Sequence, residues 1–177
     1  MDKIIIYGSQ YGTTKSYAME LAKKTGIPVV SYKEMGDLSG YKTIIHMGGL
    51  YAGGVLGLKS VLKGLTQNIN LIIVTVGLAD VTDEKNIESI IASINRQVPK
   101  EFCKNLRIFH LRGGIDYGKL NFAHRTMMTL LYKKVKNIPE DKRNEEDRSM
   151  IETFGKKVDF INFDALDPII ELLQKTD

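Results

Sequence analysis

The sequence predicts an α/β domain: a five-stranded parallel sheet, doubly wound, with a helical insertion after the fifth strand. Three observations carry this. Apolar runs of strand length alternate with segments of helical periodicity, the pattern of right-handed parallel crossovers. A loop of small and hydroxyl-bearing residues joins the first strand to the first helix. No composition shift or repeat marks a domain boundary in 177 residues, a length that suits one domain, 1–177, with its own core. The strand order expected is 2-1-3-4-5, with a ligand at the carboxyl ends of strands 1, 3 and 4.

The first strand is the apolar run Ile4–Tyr7, ended by Gly8, and helical spacing of Tyr17, Ala18, Leu21 and Ala22 follows. Gly26 closes that helix, and β-branched Val29 and Val30 centre a second strand over 28–32. Residues 41–47 form the third strand, expected to end at Gly48 and Gly49. Residues 56–65 read as a helix with Leu58, Val61, Leu62 and Leu65 on one face. The most apolar strand is 70–76. Thr82 or Asp83 caps the next helix, whose apolar face is Ile87, Ile90, Ile91 and Ile94. Residues 106–111 are the fifth strand.

The last helix is then delayed by an insertion of about 113–163. Gly113 and Gly114 turn the chain, and Asn121 caps a helix over 122–136. Met127, Met128, Leu131, Tyr132 and Val135 share one side of it; Arg125, Lys133 and Lys136 share the other. The polar segment 139–147 is expected to be mobile. A short helix over 148–157 and an extended run over 158–163 lead to a final helix opened by Asp167-Pro168.

Between the first strand and helix stands Ser9-Gln-Tyr-Gly-Thr-Thr14. A strand feeding a small-residue loop that opens a helix is an anion site, because the first helical amides lack partners and the helix dipole favours negative charge. Gly12 is followed by Thr-Thr, not the Lys-Ser/Thr of a Walker loop, and the three spaced glycines of a dinucleotide loop are missing. Ser9, Gly12 and Thr14 fit Ser/Thr-x-x-Gly-x-Thr, which resembles the FMN phosphate loop of the flavodoxin family. A flavodoxin-like fold with FMN as cofactor is what this resemblance implies. The phosphate loop is then Ser9, Gln10, Tyr11, Gly12, Thr13 and Thr14.

Two further loops would face the same ligand. Gly48, Gly49, Leu50, Tyr51, Ala52 and Gly53 follow the third strand; the glycines allow close backbone approach to a flat ring, and Tyr51 is placed to stack on it. Val76, Gly77, Leu78, Ala79 and Asp80 follow the fourth, with amides for a flavin's polar edge. A phosphate-accepting receiver domain, which shares the architecture, is excluded: it needs paired acids after strand 1 and an Asp ending strand 3, where this chain has Tyr7-Gly8 and Met47-Gly48.

The C-terminal third resembles one branch, the flavodoxin-type, menaquinone-dependent protoporphyrinogen IX dehydrogenases. Gly113-Gly-Ile-Asp-Tyr-Gly-Lys-Leu120 and Arg125-Thr-Met-Met128 carry the likeness, with Asp116, Tyr117 and Arg125 its specific parts. The chain departs from that branch at Leu50, since the branch carries a basic residue there, before its loop Tyr. The resemblance implies an FMN-dependent oxidoreductase passing electrons to a quinone or similar acceptor. The alternatives are an electron-transfer flavodoxin serving redox-protein partners and a cofactor-less interaction module of the same fold.

Charge agrees with an enzyme more than a shuttle. Carrier flavodoxins are typically acidic, whereas this chain has pI ≈ 9.0. Residues 100–136 hold nine Lys/Arg against two Asp/Glu, while 137–177 hold six against eleven. The basic block suits substrate carboxylates, with Arg112, Lys119 and Arg125 as candidates, or peripheral contact with an anionic membrane. A single Cys103 rules out an internal disulfide, and with only three His it argues against a metal site. No signal-peptide pattern or membrane span is expected, which makes a cytoplasmic protein the default. Nucleic acid is not an expected partner. No side chain stands out as a catalytic base, and a homodimer remains an open option.

Overall fold

The computed structural model describes residues 2–51, 54–66 and 69–175, apart from the Tyr51 side chain. Strands β1 (Lys3–Gly8), β2 (Val29–Ser31) and β3 (Thr43–Tyr51) come first, with α1 (Thr13–Thr25) crossing from β1 to β2. The short strand β4 (Gly54–Val55) and helix α2 (Leu58–Lys63) follow. Next come β5 (Asn70–Gly77), α3 (Glu84–Gln97), α4 (Lys100–Cys103) and β6 (Leu106–Arg112). The parallel sheet runs β2-β1-β3-β5-β6, which is the predicted 2-1-3-4-5 order once the antiparallel β4 is set aside. Alternate residues of the buried strands feed two cores. Ile4, Ile6, Ile44, Leu71 and Ile73 pack beneath α2 and α3. Ile5, Ile45, Met47, Ile72 and Val74 pack beneath α1 and the C-terminal helix α7 (Asp167–Lys175).

Three expectations are corrected. The third strand does not stop at Gly48-Gly49; it runs on to Tyr51 and folds back as β4, pairing Leu50 with Val55. Gly48 has no room for a side chain, since a Cβ would sit 2.3 Å from Val55 Cγ1, so these glycines keep the hairpin close rather than break the strand. The helix read over 56–65 is only Leu58–Lys63, because Gly57 enters at φ 86 with Tyr32 packed against it. The polar segment 139–147, expected to be mobile, is ordered. Asn144 and Asp147 form a reciprocal capping box that starts α6 (Glu145–Thr153) three residues earlier than read from the sequence.

The insertion leaves the sheet after β6 and builds a cap. It holds β7 (Gly114–Asp116), α5 (Phe122–Lys136), α6 and β8 (Lys157–Asp159), with β7 and β8 antiparallel. Helix α5 matches its predicted bounds and Asn121 cap. Met128 and Val135 are buried, and Phe122 and Leu130 are exposed on the opposite side. The cap has its own small core of Ile115, Tyr117, Leu120 and Met128. Tyr17 of α1 marks where it leaves and returns: its hydroxyl donates to the Arg112 carbonyl at 2.8 Å and accepts from the Asn162 amide at 2.9 Å. At the opposite end of the sheet, Lys3 Nζ donates to the Leu173 carbonyl at 2.7 Å, a cation at the C-terminal turn of α7. No helix among the described residues is long and apolar enough to cross a membrane.

Candidate cofactor and substrate cleft

The carboxyl ends of β1, β3 and β5 open onto one cleft of about 350 Å³, within the usual range of small-molecule sites. Its first wall is the loop after β1. Gly12 takes φ 94, a left-handed value that suits glycine, and its amide donates to Ser9 Oγ at 3.1 Å. Helix α1 then begins without a side-chain cap. The amides of its first turn are therefore left for an anion, beside Thr13 and Thr14, which line the cleft.

The second and third walls come from β3 and β5. Gly49 and Leu50 line the cleft with Gly54, Val55 and Leu56 of the hairpin, and Val76, Gly77, Leu78 and Ala79 close the other side. Glycines set the spacing. A Cβ on Gly8 would lie 2.1 Å from the Leu56 carbonyl oxygen, one on Gly77 2.8 Å from Leu50 Cδ1, and one on Gly49 3.3 Å from Thr14 Oγ1. The three loops therefore pack closely on one another, with backbone exposed to the cleft at Gly49 and Gly77. This cradle, with its uncapped helix start, fits a phosphate carrying a flat ring.

The structure brings together most of the predicted site. Ser9, Gln10, Tyr11, Thr13, Thr14, Gly49, Leu50 and Val76 to Ala79 all line the cleft. Gly12 and Gly48 do not line it. The Tyr51 side chain, Ala52 and Gly53 lie outside the described residues. Asp80 does not line the cleft: its carboxylate accepts from the Thr82 amide and hydroxyl, both at 2.8 Å, and these bonds hold its pKa below the usual carboxylate value. None of the three candidate substrate cations lines it either. Arg112 lies over the Phe160 ring at 3.8 Å and donates from Nε to the Leu78 carbonyl at 3.0 Å. Arg125 donates to the Tyr117 carbonyl at 3.2 Å, and Lys119 is exposed in a turn.

Sequence reasoning missed the cap's share of the cleft. Gly113, Gly114, Ile115 and Tyr117 form part of the wall, as do Met127, Met128 and Leu131 of α5 and Ser149 and Met150 of α6. The side of α5 that carries Met127, Met128 and Leu131 divides between the cap's own core and the cleft. The cap is fastened to the ligand loops directly. Thr13 Oγ1 donates to the Gly114 carbonyl at 3.0 Å, and the Gly113 amide to the Gly77 carbonyl at 2.7 Å. Gln10 donates to a ring nitrogen of His124 at 3.1 Å, and Tyr11 meets the same ring edge-on at 5.8 Å. Tyr11 and Leu78 pack on the cap's core.

Burial tunes the groups around the cleft. The Tyr117 phenol is pushed up to about 12, first by desolvation and then by its neighbour Tyr11, so it stays neutral. His46, fully buried under the β3–β4 hairpin, donates from Nε2 to the Leu56 carbonyl at 3.1 Å, and desolvation lowers it to about 4. Asp116, part of the sequence signature, accepts from the Gly118 amide at 2.9 Å and starts the turn that places Tyr117. The signature residues thus build the cap. Among the described residues no cluster of His, Cys, Asp or Glu could hold a metal ion.

A protein from Bacteroides uniformis named as a flavoprotein is 11% identical, over 63% of this chain and 90% of its own, at TM-score 0.47. A flavoprotein in complex with FMN from Lactobacillus acidophilus is 14% identical, over 63% and 91%, at TM-score 0.42. Oxidised flavodoxin 1 from Bacillus cereus is 14% identical, over 77% and 99%, at TM-score 0.38. No curated protein sequence matches the chain. These structural likenesses are distant, and the assignment rests on the sequence: the flavodoxin domain family model matches residues 4–143, so the chain belongs to the flavodoxin domain family, whose cofactor is FMN.

Proposed function

We propose that the protein is an FMN-dependent oxidoreductase that exchanges electrons with a small-molecule acceptor of quinone type, as the resemblance to protoporphyrinogen IX dehydrogenases implies. The observation that carries this over a shuttle is the cap. It rests on Tyr11 and Leu78, one from each of two cofactor loops, and forms a wall of the cleft. A carrier needs its cofactor edge open to a second protein; a wall there favours a small partner.

FMN, when bound, supplies the redox chemistry, and the protein supplies binding and orientation. The first-turn amides of α1 with the Ser9 and Thr14 hydroxyls are the phosphate donors, and the glycine loops bring backbone to the ring. Tyr117, held neutral, offers a phenol and no charge. The cap limits water at the cleft, which strengthens every polar interaction inside it. The porphyrin part of the reading rests on the sequence signature, and Arg96, which lines the cleft, is the cation best placed for an anionic substrate group. The exposed face of α5 combines Phe122 and Leu130 with Lys133 and Lys134, which suits peripheral contact with an anionic bilayer.

FMN titration tests the cofactor assignment. The wild type is expected to take up FMN at micromolar concentration, and Thr14→Glu to lose at least a hundredfold in affinity, because a carboxylate would oppose the phosphate in a buried position. Quinone turnover then separates enzyme from shuttle: efficient coupling to a ferredoxin-type reductase with no quinone activity would return the protein to the carrier class.

A further inference from the structure

Arg112 is the last residue of β6 and pairs with Gly77 at the end of β5. Its side chain does not line the cleft, yet it reaches the loop that does. Nε donates to the Leu78 carbonyl at 3.0 Å, and the guanidinium carbon lies 3.8 Å from the centre of the Phe160 ring. Stacking on that ring holds the planar donor group in one orientation. The preceding carbonyl is held as well: Gly77 accepts from the Gly113 amide at 2.7 Å. Two consecutive carbonyls of the loop are thus tied to the two residues at which the chain leaves β6.

A trans peptide points its N–H opposite to its C=O, and no described peptide bond is cis. Holding the Gly77 and Leu78 carbonyls toward Gly113 and Arg112 therefore turns the Leu78 and Ala79 amides away from β6. The neighbour of β5 on its other side is β3. Both residues line the cleft, and neither amide meets a carbonyl among the described residues. A cationic donor at one end of a peptide also polarises the other end, which makes the Ala79 amide a stronger donor. The Asp80 carboxylate offsets part of the Arg112 charge, while its own hydrogen bonds go to Thr82.

We propose that Arg112 is a positioning residue that makes bound FMN easier to reduce, by aiming the Leu78 and Ala79 amides at the cofactor and bringing positive charge to them. This rests on the FMN reading of the cleft. Reduction adds two electrons to FMN with either one proton or two. When one proton is taken up the ring gains a negative charge, and donors already aimed at it lower the cost of that charge.

The test is titration of the apoprotein with oxidised FMN and, anaerobically, with dithionite-reduced FMN. Arg112→Gln keeps a donor for the Leu78 carbonyl and removes the charge. In that variant reduced FMN should lose at least tenfold more affinity than oxidised FMN, equivalent to a fall of about 30 mV in the two-electron potential. A dye-coupled redox titration of the loaded protein reads the same shift independently. Arg112→Lys, which keeps the charge, should hold the ratio of the two affinities within threefold of wild type. Asp80→Asn keeps an acceptor for Thr82 and removes the opposing charge, so it should move the ratio at least threefold the other way. Equal weakening of both forms in Arg112→Gln would make Arg112 a structural tie only and overturn the proposal, as would a potential that rises. If circular dichroism shows Arg112→Gln unfolded, Asp80→Asn decides, and an unmoved ratio there overturns the proposal. A wild type that takes up no FMN in either form would defeat the cofactor assignment and this proposal with it. Normal FMN uptake with an unmoved ratio would defeat the proposal alone.

Discussion

At the scale of single residues, His46 is the clearest case of a side chain whose chemistry follows from its burial. The imidazole is fully buried and lowered from 6.5 to about 4, so the folded chain keeps it neutral. The unfolded chain takes up a proton as the pH falls through 6.5; the folded chain does not until about pH 4. Stability is therefore complete above pH 6.5 and falls steadily between pH 6.5 and 4, by about 3 kcal/mol from this residue, since each pKa unit is about 1.4 kcal/mol. Urea melts across that range should show the decline, and His46→Gln, which keeps a donor for the Leu56 carbonyl, should show a shallower one. His46 also illustrates what a sequence hides. It sits in an apolar strand run and reads as any strand residue; only the hairpin, invisible in composition, brings the Leu56 carbonyl over it. The turn after β1 was legible for the opposite reason, since its geometry is local: the Gly12 amide donates to Ser9 Oγ three residues back, and Gly12 leads the chain into α1.

Among the elements, helix α5 and the parallel strands were readable because each is a long segment with one dominant period, the 3.6-residue repeat of Met128, Leu131 and Val135 or the apolar run of Leu71 to Val76. What escaped was contact between elements far apart in the chain. Nothing in 113–158 announces that its core closes on Tyr11 and Leu78, because the pairing is tertiary and each residue alone is merely apolar. The capping box was present in Asn144-Glu-Glu-Asp147 but lay inside a strongly charged stretch, and charge suggested mobility. That box should now be measurable. Asn144→Ala is expected to cost about 1 kcal/mol, and Met128→Ala about 2 to 3 kcal/mol from the cap core. Hydrogen exchange should place both losses in 114–158, leaving the protection of β1, β3 and β5 intact. Loss of sheet protection at the same denaturant concentration would show that cap and sheet unfold as one unit.

For the whole molecule, charge and connectivity are the features that no single element carries. The basic block places Lys133 and Lys134 on the exposed side of α5 with Phe122, 86% exposed, and Leu130, 62% exposed. Binding to vesicles containing phosphatidylserine is expected at low salt, weakening as the Debye length shrinks to about 8 Å at physiological ionic strength. Each of these lysines contributes about 1 kcal/mol near such a surface, so Lys133→Glu with Lys134→Glu should reduce binding by at least tenfold without touching FMN uptake. Equal sedimentation of wild type and variant with the vesicles would reduce the block to solvated surface. The neck at Tyr17 bears on descent as much as on stability. One hydroxyl bridges the last residue before the insertion and one of the insertion's own last residues, and Gly114 is paired with Asp159 across the same opening. The two ends of the detour thus stand side by side, as the ends of a graft do, and the host sheet closes behind them without it. A gene acquiring or shedding this segment would pass through intermediates that still fold. Replacing 115–158 with a short glycine link should accordingly leave a protein that unfolds cooperatively in urea and keeps the hydrogen-exchange protection of its sheet.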